Sequence, residues 1–278
     1  MFASALEPLA SYLSPRALAR ACATCRSARS AVGDSHFAAA AATSGFVGCS
    51  SRAQLAAYYR DHCVFCSDVS ANACVSQGGK RLLLDLGGAE PTTRRVAAAH
   101  SVCSLSRFGQ VQFRILELTH GPKHNVVLWL GVMYEKFDGR PLDGSTHAAC
   151  LAGYNVANGR TSMGERFARG SWSMNAIGSS GSVWSDSSVN KMLSTPFGEG
   201  STVTLSLDAH CRELRVQVTR SSCDGHQLAM PQEVAVRRLV RRGITLPPLH
   251  VIAHLTDCAF PAFGEPARAV VEVLHGQR

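Results

Sequence analysis

The stretch from Ser201 to Thr219, S-T-V-T-L-S-L-D-A-H-C-R-E-L-R-V-Q-V-T, carries the clearest structural pattern in the chain. Apolar and polar residues alternate strictly on both sides of the polar segment Asp208 to Glu213. Successive side chains of a strand point to opposite faces, so each half predicts a strand with one apolar and one solvated face. The turn between them predicts a β-hairpin. Its apolar residues are Val203, Leu205 and Leu207 on one strand, and Leu214, Val216 and Val218 on the other.

An isolated hairpin is marginally stable in water, so a second sheet must cover its apolar face. Short apolar or alternating runs separated by Gly, Pro, Asn and Asp recur from about Arg81 onward, which is typical of an all-β domain. The further predicted strands are RLLLDL, VQFRILEL, NVVLWLGVMY, LHVIAHL and AVVEVL. The segment from Gly159 to Ser188, rich in Gly, Ser and Asn, predicts long loops anchored by Trp172 and Trp184. The sequence thus predicts an antiparallel β-sandwich over residues 80–278.

The N-terminal segment has a helical pattern instead. Ser14 and Pro15 predict a helix start, with Ser as the N-cap and Pro at the first helical position. Leu18, Ala21, Cys22 and Cys25 fall on one stripe, which predicts that both cysteines are buried together. The predicted fold class is α+β: a small helical module at 1–45, a connector at 46–79 with a candidate short helix at Arg52 to Tyr59, and the larger sandwich.

Composition limits the classes of protein that the chain can belong to. Hydrophobic residues make up 46% of the 278 residues, enough for a substantial core. The net charge is +8, with one dense basic cluster, RRLVRR at Arg237 to Arg242, which leaves a nucleic-acid-associated protein as the third candidate. We expect a solvated face there and nucleic acid to be an unlikely partner, because no aromatic residues are interleaved with the arginines. We expect an intracellular protein, cytoplasmic or nuclear, because the eleven cysteines are irregularly spaced and the N-terminus has neither a basic start nor a long apolar segment. We expect no membrane span, because no apolar run is long enough for one.

Two C-x-x-C pairs, Cys22/Cys25 and Cys63/Cys66, have the ligand spacing of a zinc ribbon. A shared zinc site and a local one that adds His62, Cys49 or Cys74 are both open alternatives. The first pair lies within a helical pattern, so we favour buried structural thiols and predict no metal and no cofactor. The sequence contains no G-x-S-x-G, H-E-x-x-H or phosphate-binding glycine motif, and we expect the chain not to be an enzyme.

The N-terminal pattern resembles the F-box, with Leu9, Leu13, Ser14-Pro15, Leu18 and Cys25-Arg26-Ser27 in the family's order. The family's opening Leu-Pro has no match, and Ala28 stands where an aromatic residue is usual. The resemblance implies docking on the Skp-type adaptor of cullin-RING ubiquitin ligases. It places Leu9, Leu13, Pro15 and Leu18 at adaptor-facing or adjacent apolar positions.

The β region resembles a SPRY-type sandwich. Four segments occur in the order of that family: FRILEL followed by LWLGV, Gly153-Tyr154, the hairpin GEGSTVTLSLDAHCRELRV with Cys223-Asp224-Gly225 after it, and LPPLHVIAHL. Members of the family are usually protein-interaction modules without catalytic activity. The resemblance therefore implies that loops of the sandwich bind a target protein.

Together the two resemblances imply the substrate-recognition subunit of a ubiquitin ligase, in which helices bind the adaptor and the sandwich binds the target. The alternative is a stand-alone SPRY-like interaction module whose helices pack on the sandwich, which the missing Leu-Pro and Ala28 favour. Large aromatic side chains on loops are typical interface anchors. We therefore predict target binding through Tyr134, Tyr154 and Trp172 at one rim of the sandwich.

Overall fold

The computed structural model describes most of the chain, in segments. The described residues are 13–66, 73–87, 96–119, 126–135, 154–155, 160–161, 172–179, 183–186, 188–190, 197–208, 213–220, 232–238, 249–257 and 267–277.

The first described part is helical. Its helices are α1 (Pro15–Thr24), α2 (Arg26–Ala31), α3 (Asp34–Thr43) and α4 (Arg52–Asp61). As predicted, Ser14 caps α1: its side chain accepts a hydrogen bond from the Ala17 amide at 3.1 Å, and Pro15 follows at the first helical position. A buried cluster unites the helices, comprising Leu18, Cys22, Phe37, Ala40, Ala41, Phe46 and Leu55. Because Phe46 and Leu55 belong to it, helical packing continues beyond residue 45 into the predicted connector.

Two antiparallel sheets follow. The strands of the seven-stranded sheet are β1 (Ala73–Ser76), β2 (Arg81–Asp85), β4 (Gln110–Thr119), β11 (Thr202–Asp208), β12 (Glu213–Thr219), β13 (Gln232–Arg238) and β15 (Arg268–Gln277), in the order β1-β2-β15-β4-β11-β12-β13. The strands of the six-stranded sheet are β3 (Val96–Ser104), β5 (Val126–Glu135), β8 (Trp172–Gly178), β9 (Val183–Asp186), β10 (Ser188–Asn190) and β14 (His250–Asp257), in the order β10-β9-β8-β5-β14-β3. A separate ribbon pairs β6 (Tyr154–Asn155) with β7 (Arg160–Thr161).

The hairpin predicted from the alternating residues is confirmed. In the register of β11 and β12, Leu205 lies opposite Val216. The apolar residues of both strands are buried in the core between the sheets. On the opposite sheet, β5 and β14 supply Leu128, Leu130 and Val251 to the same core. The predicted fold class, a small helical module and a larger antiparallel sandwich, is confirmed.

One local prediction is confirmed and another needs correction. The short helix considered at Arg52 to Tyr59 within the predicted connector is α4, and the connector also contains β1, since Leu55 and the partly buried Val75 give these segments apolar faces to pack. The region from Gly159 to Ser188 contains strands β8 and β9 rather than loops alone. Strand β8 pairs with β5 on one side and β9 on the other. Hydrogen bonds on both sides compensate for the low strand propensity of its sequence, which contains Ser and Gly.

The segment Cys63–Cys66 joins the helices to the sandwich. Phe65 forms an antiparallel bridge with Ser101 of β3. The amide of Cys66 donates to the His100 carbonyl at 2.8 Å, and the amide of Val102 donates to the Val64 carbonyl at 2.8 Å. Strand β3 ends the six-stranded sheet, so this segment covers part of an otherwise open sheet edge.

Candidate interaction site

A groove of about 230 Å³ separates the start of α1 from the edge of the sandwich. Leu13, Pro15 and Arg16 line it on the helical side, and Phe65 and Cys66 line it on the sandwich side. Nη1 of Arg16 donates to Sγ of Cys66 at 2.6 Å across the groove. The groove is therefore bridged by a direct contact between helix and sandwich.

Two further hydrogen bonds hold the helical module against the sandwich. The thiol of Cys103 donates to the carbonyl oxygen of Tyr59 at 3.2 Å. The amide of Gly78 donates to the carbonyl oxygen of Ser44 at 3.2 Å. At Gly78 the backbone has φ +64°, and an added Cβ would lie 2.9 Å from the Tyr58 hydroxyl, so glycine permits this close approach.

The residues predicted to bind an adaptor lie in different environments. Leu9 lies outside the described residues. Leu18 has 0% exposure and fills the centre of the helical cluster, and Pro15 is also buried. Leu13 is half-buried on the groove. Leu18 and Pro15 therefore pack the module, which fits the adjacent apolar positions of the prediction, and adaptor binding itself stays a prediction.

The two cysteines of each C-x-x-C pair lie in different environments. Cys22 is buried, whereas Cys25 ends α1 and is exposed, which corrects the prediction that both are buried. Along the extended segment 63–66, Cys63 joins the core between the sheets, and Cys66 lines the groove beside Arg16. Residues three apart in a strand point to opposite faces, so the second pair cannot converge on one ion without rearrangement. Within the part of the chain that the structure describes, no three His, Cys, Asp or Glu side chains are placed to hold a metal.

A second concavity, which we call the rim hollow, lies where β3 ends and β14 begins. Its volume is about 540 Å³, and Cys103, Ser104, Ser106, Arg107 and His250 line it. The register of the sheet pairs Ser104 with His250, which brings the two strand ends together. Arg107 is exposed and makes no ion pair with any described residue, so its guanidinium is available to an external group.

Hydrogen bonds fix the polar groups of the rim hollow. Ser104 accepts from the Leu249 amide at 3.0 Å, and its hydroxyl lies 2.8 Å from that of Ser106. Nδ1 of His250 lies 2.9 Å from the Ser101 carbonyl, which can only accept, so Nδ1 carries the proton. In the neutral ring Nε2 is then the acceptor.

The charge state of His250 follows from its surroundings. Burial lowers its pKa, the hydrogen bond to Ser101 opposes that change, and the positive charge of Arg16 lowers the pKa further. The ring is therefore neutral at physiological pH. The rim hollow thus offers one cation, two hydroxyl groups and a neutral imidazole.

Backbone pairing places two of the three predicted target-binding residues near this hollow. Tyr134 lies in β5 opposite Ser173, one position after Met133, which pairs with His250. Trp172 begins β8 opposite Glu135. Both are therefore strand residues rather than loop residues, because β5 continues through Glu135. Tyr154 lies in the separate ribbon, paired with Thr161, and is not brought to the same strands.

Neither Arg107 nor His250 was predicted from the sequence. Neither carries a local motif, and 143 positions separate them along the chain (250 − 107). Both line the rim hollow because β14 pairs with the end of β3, a neighbour relation that alternation of residues does not reveal. Of the basic cluster, Arg237 and Arg238 end the edge strand β13, and the later residues lie outside the described ones.

Comparisons with known proteins give remote structural likenesses. No family model matches the chain, and no curated protein matches it. The SPRY domain of human HERC1 is 12% identical, with a TM-score of 0.39 over 77% of this chain and 99% of that one. The NEUZ (NHR) domain of Neuralized from Drosophila melanogaster is 10% identical, with a TM-score of 0.38 over 77% and 91%. Lectin II from Ulex europaeus is 11% identical, with a TM-score of 0.40 over 77% and 93%.

These values are too low to carry a ligand or partner over to this chain.

In the described part of the chain, no helix has both the length and the apolar character that crossing a membrane requires.

Proposed function

We propose that the chain is a SPRY-like protein-interaction module that binds a target protein at the rim hollow. One observation carries the proposal: an exposed Arg107 without an ionic partner among the described residues borders a concavity with fixed hydroxyl and imidazole groups. Arginine is enriched where proteins bind one another, since its planar guanidinium can form several hydrogen bonds. No catalytic step is proposed for the chain, and its intracellular location stays a prediction.

The packing of the helices supports an integral structural role for them. Leu18 is fully buried, Arg16 bonds to Cys66, and Cys103 bonds to Tyr59. These contacts, all within this chain, fix the helices to the sandwich.

Comparative affinity capture tests the rim as the binding surface. The full chain, Arg107→Glu and Arg114→Glu would be immobilised in equal amounts, and the captured proteins quantified by mass spectrometry. Arg114 is an exposed arginine on the solvated face of β4, so its variant makes the same charge change away from the rim. We expect at least one target protein to be captured by the parent chain and by Arg114→Glu but not by Arg107→Glu. Equal capture by all three would reject the rim.

The second candidate is the substrate-recognition subunit of a cullin-RING ubiquitin ligase. The observation that favours it is the helix start: Ser14 caps α1 at Pro15 as in the F-box pattern, and Leu13 beside it remains half-buried rather than enclosed. In this role the helices would bind a Skp-type adaptor, and proximity would raise the effective concentration of the target near the ligase.

Adaptor binding can be measured directly with the purified Skp-type adaptor. Leu13→Asp would place a charge at the contact, whereas Val47→Asp makes a comparable substitution at a residue that is 92% exposed in the same module. The ligase role would be supported if the parent and Val47→Asp bind the adaptor and a folded Leu13→Asp protein does not. Absence of binding by the parent chain would remove it and leave the stand-alone module.

A further inference from the structure

Cys63 and Cys103 each lie two residues from a β-bridge at the junction of the helices and the sandwich. The hydrogen bonds between Cys66 and His100 and between Val102 and Val64 flank the bridge from Phe65 to Ser101. This pattern makes Phe65 and Ser101 a non-hydrogen-bonded antiparallel pair. Extended by two residues beyond these hydrogen bonds, back along the first segment and forward along β3, the same register would bring Cys63 to face Cys103.

The side chains of both cysteines face the same side. Cys63 belongs to the core between the sheets with 2% exposure, and Cys103 packs against that core while half-buried. Cα atoms of a non-hydrogen-bonded pair lie about 4.5 Å apart, which falls within the roughly 4.4–6.8 Å that a disulfide spans. Both thiols are free in this structure.

The electrostatics of the two thiols agree with this placement. Burial and, to a smaller extent, the nearby charge of a Cys103 thiolate together raise the pKa of Cys63 to about 12. Cys66, which shares the C-x-x-C spacing with Cys63, lines the groove on the other face of the segment. Cys103 is therefore a better placed partner for Cys63 than Cys66 is.

We propose that Cys63 and Cys103 are a disulfide-forming pair that can lock the end of the helical module to strand β3. This inference does not rest on the proposed target binding, although Cys103 also lines the rim hollow. A small-molecule disulfide, such as oxidised glutathione, is the oxidant. Locking would hold in place the segment that covers the open edge of the six-stranded sheet.

The reaction proceeds by two thiol exchanges. Cys103, the more exposed thiol, loses its proton and attacks the oxidant, which forms a mixed disulfide and releases one small thiol. Cys63 then loses its proton and attacks the Cys103 sulfur, which releases the second small thiol. Two protein thiols are oxidised to one disulfide, and one small disulfide is reduced to two thiols. The second exchange is slow at neutral pH and accelerates as pH rises, because only the thiolate attacks.

Peptide mapping of the full chain tests the proposal. The folded protein would be incubated with oxidised glutathione at mildly alkaline pH, blocked with an alkylating agent and digested without reduction. We expect a Cys63–Cys103 cross-linked peptide, and a rise of several degrees in Tm that a reductant reverses, since the link closes a loop in the unfolded chain. Cys63→Ser should instead accumulate glutathione on Cys103, and Cys66→Ser should retain the cross-link.

Other outcomes would overturn the proposal. These are a cross-link from Cys63 to a different cysteine, a cross-link that Cys66→Ser abolishes, or free Cys63 and Cys103 after the exposed Cys25 and Cys74 have been modified. A folded Cys103→Ser variant that still loses the Cys63 thiol in a cross-link would overturn it even if Cys63→Ser failed to fold. Target binding is measured separately and does not decide this proposal: Cys103 lines the rim hollow, so its modification can change binding whether or not the cross-link forms.

Discussion

Nη1 of Arg16 lies 2.6 Å from Sγ of Cys66, so the first helix is bonded directly to the segment that borders β3. Cys66 in turn donates its amide to His100 in the six-stranded sheet. A helix, a connecting segment and a sheet edge therefore form one continuous chain of contacts. The helices and the sandwich should respond to mutation together.

Substitution of Leu18 tests this coupling. Leu18→Ala should lower the free energy of unfolding by roughly 2–5 kcal/mol, because it leaves a cavity in the helical cluster. The control Val47→Ala, at an exposed site, should change it by less than about 0.5 kcal/mol. Urea denaturation followed by circular dichroism should show one shifted transition. A new early transition confined to the helical signal would mean that the module unfolds by itself.

The hairpin core provides a second prediction. Leu205 lies opposite Val216 and is fully buried, so Leu205→Ala should also lower the free energy of unfolding by roughly 2–5 kcal/mol. Ser206, the next residue, points to the other face and is half-buried, and Ser206→Ala should have a much smaller effect. Similar effects of the two substitutions, measured by urea denaturation, would contradict the assigned faces of β11.

His254 predicts a dependence of stability on pH. Its ring is buried, neither nitrogen forms a hydrogen bond with a described residue, and burial lowers its pKa from 6.5 to about 4. As pH falls, the unfolded chain binds a proton at this residue before the folded chain does. The contribution to stability is therefore complete above about pH 6.5 and decreases between pH 6.5 and 4, by roughly 3 kcal/mol in total.

His254→Leu should remove most of that decrease. At pH 7 it should also raise the free energy of unfolding by about 1–2 kcal/mol, because an unpaired buried polar group is replaced by an apolar one. Urea denaturation from pH 4 to 8 measures both effects. An unchanged pH profile in the variant would show that other groups control the acid response.

Removal of metal ions should leave stability unchanged. Cys63 and Cys66 face opposite sides of their segment, and Cys25 is exposed while Cys22 is buried. A strong chelator should therefore not shift Tm, since no coordination contributes to folding. Loss of stability together with one zinc per chain in elemental analysis would instead point to a local site involving Cys63, Cys66 and His62.

The sequence predicted those parts of the fold in which local pattern and packing agree. Strict alternation predicted which residues of β11 and β12 face the core, and Ser14-Pro15 predicted the start of α1. Strand β3, V-A-A-A-H-S-V-C-S, was missed because alanine has a low strand propensity. Pairing with β14 along its length makes it a strand.

The candidate site was less predictable than the fold. Tyr134 was identified from its type and position after an apolar run, and the structure pairs its strand with the one that contains His250. Arg107 and His250 themselves were missed, because their proximity depends on which strands are neighbours. Burial of Leu18 was also invisible in the sequence, since an apolar stripe predicts an interface without identifying what covers it.

The aromatic residue Tyr134, near the rim, gives a prediction for the affinity of the chain for the target that the parent captures. Tyr134→Ala should weaken its binding by at least tenfold, about 1.4 kcal/mol, if the ring is an interface anchor. The change in Tm separates this role from packing, because loss of a core aromatic costs roughly 3–5 kcal/mol of stability. Isothermal titration calorimetry and thermal unfolding on the same samples make the comparison. Unchanged affinity in a folded Tyr134→Ala protein would exclude this residue from the contact.

Hydrogen–deuterium exchange of the chain, alone and with the captured target, tests target binding at the rim most directly. The proposed function predicts slower exchange on binding at residues 103–107, 133–135, 172–174 and 249–251, where the strand ends meet around the rim hollow. Exchange at residues 112–116 of β4, in the middle of the seven-stranded sheet, should not change. Protection confined to that strand, or to helices α1 to α4, would contradict target binding at the rim.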